Sequence, residues 1–139
     1  MPASLSHVVV LTDDLDAVLR FLTDVAKLRP VAHYETVADD VHSLFGWPLE
    51  HGVARGAFVG EGPGSVDVLE IPEALRGTVA PGVRLLAVAN RDAEAARDAA
   101  TAAGFEARGP FTATTATGGT MATTEVVAGG VAFELVQFG

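Results

Sequence analysis

Apolar positions along this chain follow two different periods, which predicts both strands and helices. Residues 5–12, "LSHVVVLT", form a β-branched run of the kind found in buried strands. Residues 12–14, "TDD", supply a helix N-cap and acids for a first turn. Pro30 disfavours helical geometry at the residue before it, so we expect this helix to end near Lys27. Its apolar residues recur at the spacing of one amphipathic face: Leu15, Val18, Leu19, Leu22 and Val25.

Three further strands complete the first half of the pattern. The segments "PVAHYETV" (30–37), "ARGAFVGE" (54–61) and "SVDVLEIP" (65–72) are short and rich in strand-forming residues. Between the first two lies "ADDVHSLFGWPLEHG" (38–52), in which Gly46 and Pro48 interrupt regular structure. We expect this segment to be a loop with room for one helical turn. The first half therefore has the order β-α-β-β-β.

The same order begins again after a linker-like segment at residues 73–82. "VRLLAVA" (83–89) is predicted to be a strand, and residues 90–104 an alanine-rich helix capped by Asn90 and ended by Gly104. Three strands follow at residues 105–116, 118–130 and 131–138. This repetition predicts two similar β-α-β-β-β units in one domain, because neither unit closes a core alone.

The two halves also match residue by residue. Alignment of His7 with Val83 places an aspartate nine positions later in each half. Each half ends on a strand that carries a glutamate between apolar residues, "LEI" at 69–71 and "FEL" at 133–135. This alignment makes Glu70 the counterpart of Glu134.

Size, charge and composition narrow the class of protein. The chain has 139 residues, 49% of them apolar, which suits one domain with a sizeable core. Its net charge of −9 disfavours nucleic-acid binding. The chain has no cysteine, which excludes disulfides and thiolate chemistry and suits a cytoplasmic location. No apolar run reaches the roughly 20 residues that span a membrane, and the start "MPASLSH" lacks the pattern of a signal peptide, so we expect no membrane association.

Four segments, taken in this order, resemble one known superfamily: "SHVVVLTDDLDAVLRFLTDV", "VDVLEIPE", "RDAEAARDAATAAGFEARGPF" and "VAFELVQF". The chain resembles the vicinal oxygen chelate superfamily, also called the glyoxalase/bleomycin-resistance/dioxygenase family. The resemblance implies an α+β fold in which two β-α-β-β-β modules form curled sheets around a cleft. It implies a single domain over residues 1–139, with module 1 at about 1–75, a linker at about 76–81 and module 2 at about 82–139. It also implies a homodimer.

The resemblance places metal ligands on the first and last strands of each module. Those four positions here are His7, Glu70, Val83 and Glu134. The first, second and fourth can bind Mn, Fe, Ni or Zn, but valine cannot. One hypothesis is therefore a divalent-metal-dependent lyase, isomerase or dioxygenase in which Glu70 or Glu134 acts as a catalytic base.

The metal-dependent enzyme is the alternative; the hypothesis that the sequence favours is a protein that binds a small organic molecule without a cofactor and sequesters it, such as an antibiotic or another natural product. Val83 in place of an imidazole, the acidic surplus and the aromatic segment "LFGWP" (44–48) favour it. The predicted ligand-binding residues are Phe45, Trp47, Phe58, Phe111, Met121, Phe133 and Phe138.

Two features leave alternatives open. "LFGWP" is either a wall of the cleft or a hydrophobic plug that closes the end of the barrel or packs in a dimer interface. His33, His42 and His51 have no partners at metal-binding spacing and are predicted to lie on the surface or the rim.

Overall fold

The computed structural model of the protein describes residues 4–49, 52–115 and 118–139. His51 lies outside these residues. The strands are β1 (Ser4–Thr12), β2 (Val31–Val37), β3 (Val53–Val59), β4 (Ser65–Glu70), β5 (Gly82–Ala89), β6 (Glu106–Thr114), β7 (Thr120–Ala128) and β8 (Val131–Phe138). The helices are α1 (Leu15–Arg20), which continues as a π-helical segment over Phe21–Val25, α2 (Ala38–Phe45) and α3 (Ala93–Ala102). A 3-10 turn spans Glu73–Leu75.

All eight strands belong to one sheet in the order β2-β3-β4-β1-β5-β8-β7-β6. At its centre β1 and β5 are antiparallel, and each pairs in parallel with the last strand of its own half, β4 or β8. Helix α2 packs against both β2 and β6, the two edge strands. One helix can reach both edges only because the sheet curls into a half-barrel. This architecture confirms the predicted α+β fold with a curled sheet.

The two halves are related by an approximate two-fold axis that crosses the sheet between β1 and β5. The pair His7–Ala87 has its symmetric counterpart in Val9–Leu85, and Leu5–Val88 has its counterpart in Val10–Val83. Asp14 and Asp92 are the equivalent N-caps of α1 and α3, since each side chain accepts a hydrogen bond from the backbone three residues later.

Three local details differ from the sequence-based expectations. Residues 38–45 form a two-turn helix rather than a loop, because Val41 and Leu44 bury one face and Gly46 ends the helix with a φ of 70°. The N-cap of α3 is Asp92, while Asn90 accepts a hydrogen bond from the Asp92 amide. The first helix ends at Val25, close to the expected Lys27, but its last five residues have π-helical hydrogen bonding.

Buried apolar residues line the sheet and hold the helices on it. Leu15 and Leu19 of α1 pack on Ala57, Val59 and Val68 behind β3 and β4. No helix among the described residues is long and apolar enough to cross a membrane.

Candidate functional site

A small cavity of about 80 Å³ lies inside the curl of the sheet. Its lining includes an imidazole, a phenol and two carboxyl groups, contributed by strands of both halves. The polar lining residues are His7, Tyr34, Asp67 and Glu134, beside Thr36 and Thr114, and the large apolar ones include Phe45, Phe58, Met121 and Phe138. Polar groups from β1, β2, β4 and β8 thus meet in one enclosed space.

His7 of β1 is 4% exposed and presents its ring to this cavity. Its Nδ1 lies 3.0 Å from the Ser6 hydroxyl, and its ring meets Phe58 edge-on at 5.1 Å between centroids. Burial lowers the pKa of His7 to about 4, because the imidazolium form would lose its hydration. His7 is therefore neutral at neutral pH.

Asp67 and Tyr34 form a hydrogen-bonded pair across the strand that separates them. The Tyr34 hydroxyl donates to Asp67 Oδ1 at 2.5 Å. Burial raises the pKa of Asp67 to about 6, and the hydrogen bond from Tyr34 opposes that rise. Burial and the neighbouring Asp67 charge raise the pKa of Tyr34 well above its ordinary value, so the phenol stays a hydrogen-bond donor.

Glu134 of β8 is 8% exposed and has a pKa raised to about 7. Burial is the main cause, and the Asp67 carboxylate adds to it, while the Thr123 hydroxyl lowers the value. Thr123 Oγ1 is buried and has no hydrogen-bond partner of regular geometry among the described residues. A carboxyl group with a pKa near 7 exchanges protons readily at physiological pH.

Glu70 lies outside the cavity, in contrast to its predicted place beside His7 and Glu134. Its carboxylate accepts hydrogen bonds from the Leu15 amide at 3.0 Å and from both Nε and Nη2 of Arg55 at 3.1 and 3.0 Å. The hydrogen bonds from Arg55 lower the pKa of Glu70. Glu70 therefore serves to cap α1.

The true counterpart of Glu70 in the second half is Gln137, whose side chain accepts a hydrogen bond from the first amide of α3, Ala93, at 3.0 Å. Counted from these two capping residues, Asp67 and Glu134 are equivalent, each three positions earlier. Sequence reasoning missed Asp67. Two signals pointed to it: a lone aspartate inside the apolar strand "SVDVLEI", and alignment of the halves on their helix caps.

Val83 is likewise not the counterpart of His7. Val83 is 69% exposed at the start of β5, so it does not contribute an apolar surface to the cavity. His7 and Leu85 each lie seven positions before the N-cap of their helix, and Leu85 is 3% exposed. Leu85 pairs with Val9, which lines the cavity. A leucine therefore occupies the position that is symmetric to the imidazole.

Four of the predicted ligand-binding residues, Phe45, Phe58, Met121 and Phe138, line the cavity. The structure does not bring the other three there.

Trp47 is 6% exposed in the core beside Leu69 and Ile71, whereas Phe45 of the same "LFGWP" segment lines the cavity. Phe133 lies on the opposite face of β8 from Glu134, because neighbouring residues of a strand alternate between faces. Phe111 packs under the Arg108 guanidinium, which lies 5.1 Å from its ring centroid. His33 and His42 are exposed.

A larger cleft of about 680 Å³ adjoins the cavity at the end of the sheet where β1 begins and β8 ends. Phe58 and Phe138 line both spaces and therefore separate the cleft from the cavity by no more than their own side chains. Its lining is mainly apolar, and among the described residues Glu61 is the one charged side chain in it. The described part of the cleft has no lysine or arginine to attract an anionic ligand.

The donor groups do not fit the divalent metal site that the resemblance implies. No group of three or more imidazole and carboxyl side chains in the described ranges lies close enough together to hold an ion. Asp67 Oδ1 is already bonded to Tyr34, and Glu70 is bonded to Arg55 and the helix. The chemistry proposed below therefore has no step that uses a metal.

Comparisons with known proteins agree with this fold. The sequence profile of the Glyoxalase/Bleomycin resistance protein/Dioxygenase superfamily matches residues 4–135. No curated protein gives a significant match.

Solved structures with the same fold include a hypothetical protein from Bacillus halodurans C-125, at 16% identity and a TM-score of 0.70 over 99% of this chain and 95% of that one. Methylmalonyl-CoA epimerase from Mycobacterium tuberculosis matches at 19% identity and 0.69 over 96% and 86% of the two chains. A Streptomyces coelicolor methylmalonyl-CoA epimerase in complex with 2-nitronate-propionyl-CoA matches at 17% identity and 0.69 over 96% and 93%. At these identities the likeness shows the fold alone.

Proposed function

We propose, from the premise that this chain belongs to the Glyoxalase/Bleomycin resistance protein/Dioxygenase superfamily, that it is a proton-transfer enzyme of the isomerase or epimerase type. The observation that carries this proposal is the meeting of Glu134, Asp67, Tyr34 and His7 around one enclosed cavity. Pairs of titratable groups with pKa values moved toward neutrality are typical of acid–base sites.

In this proposal Glu134 is the group that moves the proton. It takes a proton from a carbon next to a carbonyl group, so that the C–H bond breaks and an O–H bond forms on the carboxylate. The electron pair of the C–H bond moves into an enolate. Return of the proton to the same carbon, or to the γ-carbon of a conjugated enolate, re-forms a C–H bond, restores the carbonyl group and frees the carboxylate. The pKa of about 7 supports this role, because both protonation states of Glu134 are populated at neutral pH.

His7 is placed to stabilise the negative charge that develops on the substrate oxygen. When the Ser6 hydroxyl donates to Nδ1, the imidazole carries its hydrogen on Nε2. A neutral imidazole N–H can donate to an enolate oxygen without a full positive charge. The lowered pKa of His7 supports this neutral form.

The cleft favours substrates that are mainly apolar and neutral or cationic. Its volume of about 680 Å³ falls in the range of about 300–1,000 Å³ that is usual for small-molecule sites. The acidic lining residue Glu61 and the net charge of −9 both disfavour polyanionic ligands. We therefore expect a small carbonyl compound rather than a nucleotide ester.

The test is deuterium exchange from D₂O into the acidic C–H positions of β-keto esters, α-aryl ketones and methylmalonyl-CoA, followed by NMR. We expect exchange into the neutral compounds, and at least about 100-fold slower exchange for Glu134→Gln. Glu70→Gln is the matched control, because it makes the same change outside the cavity. Gln137 shows that an amide side chain can accept the hydrogen bond from the first amide of a helix at this position, so the fold should tolerate the change. Exchange that is absent from all three classes, or equal in wild type and Glu134→Gln, would overturn the proposal.

A second candidate, sequestration of an organic molecule such as an antibiotic, is favoured by one specific observation. The outer cleft exposes large apolar side chains, among them Leu5 at 49% and Phe138 at 52%. Native mass spectrometry of the purified protein tests this candidate. A ligand that is retained unchanged, with equal affinity in wild type and Glu134→Gln, would support sequestration and count against catalysis.

A further inference from the structure

Tyr34 reaches Asp67 across an intervening strand. Tyr34 lies on β2, an edge strand, and Asp67 lies on β4, with β3 between them. Strands two places apart are separated by about 10 Å, so only a long side chain that lies flat over β3 can bridge the gap. The bond of 2.5 Å from the Tyr34 hydroxyl to Asp67 Oδ1 shows that it does so.

Gly56 of β3 provides the space that this arrangement needs. It is the direct cross-strand partner of Tyr34, and it is buried. A Cβ atom built on Gly56 would overlap the Tyr34 ring at Cζ and the hydroxyl oxygen. A glycine inside a strand commonly marks such a close approach. Any larger residue at this position would push the phenol away from Asp67.

The hydrogen bond fixes one oxygen of a carboxyl group that has no cation beside it. Among the described residues Asp67 forms no ion pair with a lysine or arginine, and its hydrogen bond comes from Tyr34. A buried carboxylate that lacks a donor is costly and free to rotate. The hydrogen bond from the Tyr34 phenol therefore holds the Asp67 carboxylate in one orientation without a metal ion or a cationic side chain.

We infer that Tyr34 and Gly56 are positioning residues: the Tyr34 hydroxyl, lying in the gap that Gly56 leaves in β3, fixes the Asp67 carboxylate so that Glu134 alone exchanges protons with the substrate. The consequence for Glu134 rests on the proposed function. The restraint itself does not, and it can be tested without a substrate.

The experiment uses the fact that Tyr34 is the only tyrosine of the chain. Its ionisation can be followed by the near-ultraviolet absorbance of tyrosinate as the pH is raised. In wild type we expect no ionisation near pH 10, the ordinary pKa of a phenol being about 10. Asp67→Asn removes the charge, and Gly56→Ala displaces the ring, so each should bring the midpoint down by at least about one pH unit.

Thr36→Val is the matched control, because Thr36 lies on the same face of β2 and lines the same cavity. It should leave the tyrosine midpoint unchanged. A wild-type phenol that ionises near its ordinary pKa, or an Asp67→Asn midpoint equal to that of wild type, would overturn the inference even if Gly56→Ala fails to fold. In the exchange assay Tyr34→Phe should be about 10- to 100-fold slower than wild type. If Tyr34→Phe exchanges as fast as wild type while wild type, Asp67→Asn and Gly56→Ala show the expected tyrosine midpoints, the consequence for Glu134 is wrong and the restraint on Asp67 stands.

Discussion

The replacement of Glu134 by glutamine has a predictable effect on how stability depends on pH. Glu134 has a pKa of about 7 in the folded protein against an ordinary value of 4.5. At pH values between these two pKa values, Glu134 holds its proton in the folded protein more often than it does in the unfolded chain. Stability therefore falls as the pH rises through this window, and the Glu134→Gln variant lacks that loss.

The magnitude follows from the same two values. A pKa of about 7 against 4.5 corresponds to about 3 kcal/mol at about 1.4 kcal/mol per unit. Glu134 is 8% exposed, so solvent screening takes little from this figure. Between about pH 4 and about pH 8 the free energy of unfolding of Glu134→Gln should thus rise by about 3 kcal/mol relative to that of wild type. The contribution of His7 remains in both proteins and cancels in the difference, whereas the charge interaction between Asp67 and Glu134 is lost in the variant and is part of the measured effect.

Urea denaturation at several pH values measures this difference. Trp47 is the only tryptophan and is buried, so its fluorescence reports unfolding without a label. Glu70→Gln is the control with the opposite sign, because Arg55 lowers the pKa of Glu70 and its ionised form is the stabilising one. That effect should be small, since Arg55 is 51% exposed. Parallel curves for wild type and Glu134→Gln would refute the reasoning.

Two further predictions concern the core and the assembly. Ile71→Ala should lower the free energy of unfolding by about 2–5 kcal/mol, because Ile71 is fully buried beside Trp47. An unchanged midpoint of urea denaturation would contradict this packing. The homodimer implied by the family resemblance should sediment with a mass twice that of the 14.3 kDa chain. Its interface should cover some of the apolar side chains that are more than half exposed, such as Phe21 and Val25. Sedimentation of a 14.3 kDa species alone at high concentration would contradict the dimer.

The curled sheet could be predicted because its signal is spread over the whole chain. Eight short apolar runs, two helices in equivalent places and turn residues between them allow few arrangements. Helix α2 was missed because Gly46 and Pro48 suggested a loop, although the buried Val41 and Leu44 have helical spacing. In that segment burial against the sheet outweighed the local interruption signal.

The site was only partly predictable because the two halves were aligned on the wrong aspartate. Matching Asp16 with Asp92 paired two charges, whereas the structure shows that Asp14 and Asp92 share the role of N-cap. A shift of two positions exchanged Leu85 for Val83, and a separate shift of three positions in the last strand of the first half matched Glu70 instead of Asp67 with Glu134. The bond between Tyr34 and Asp67 could not be predicted by any local rule, because it joins two strands that are not neighbours and depends on the absent side chain of Gly56 on the strand between them.

The symmetry of the halves also predicts which single substitution would supply the missing metal ligand. Leu85 occupies the position equivalent to His7, on the neighbouring strand, where it pairs with Val9, a residue that lines the cavity. An imidazole introduced by Leu85→His would add a fourth donor near His7, Asp67 and Glu134, which do not hold an ion at their present spacing. Two nitrogen and two oxygen donors are a combination that suits Zn or Mn.

We expect Leu85→His to bind Zn²⁺ at least about 10-fold more tightly than wild type, as measured by calorimetry and by the metal-dependent rise of the melting temperature. Val83→His is the matched control, because Val83 is 69% exposed and its side chain lies away from the cavity. If Val83→His gained affinity and Leu85→His did not, the equivalence of His7 with Leu85 would be wrong. An unchanged affinity in both variants would contradict this prediction. Tyr34→Phe combined with Leu85→His would then test whether the hydrogen bond from Tyr34 holds Asp67 away from the ion, since in that case the double variant should bind Zn²⁺.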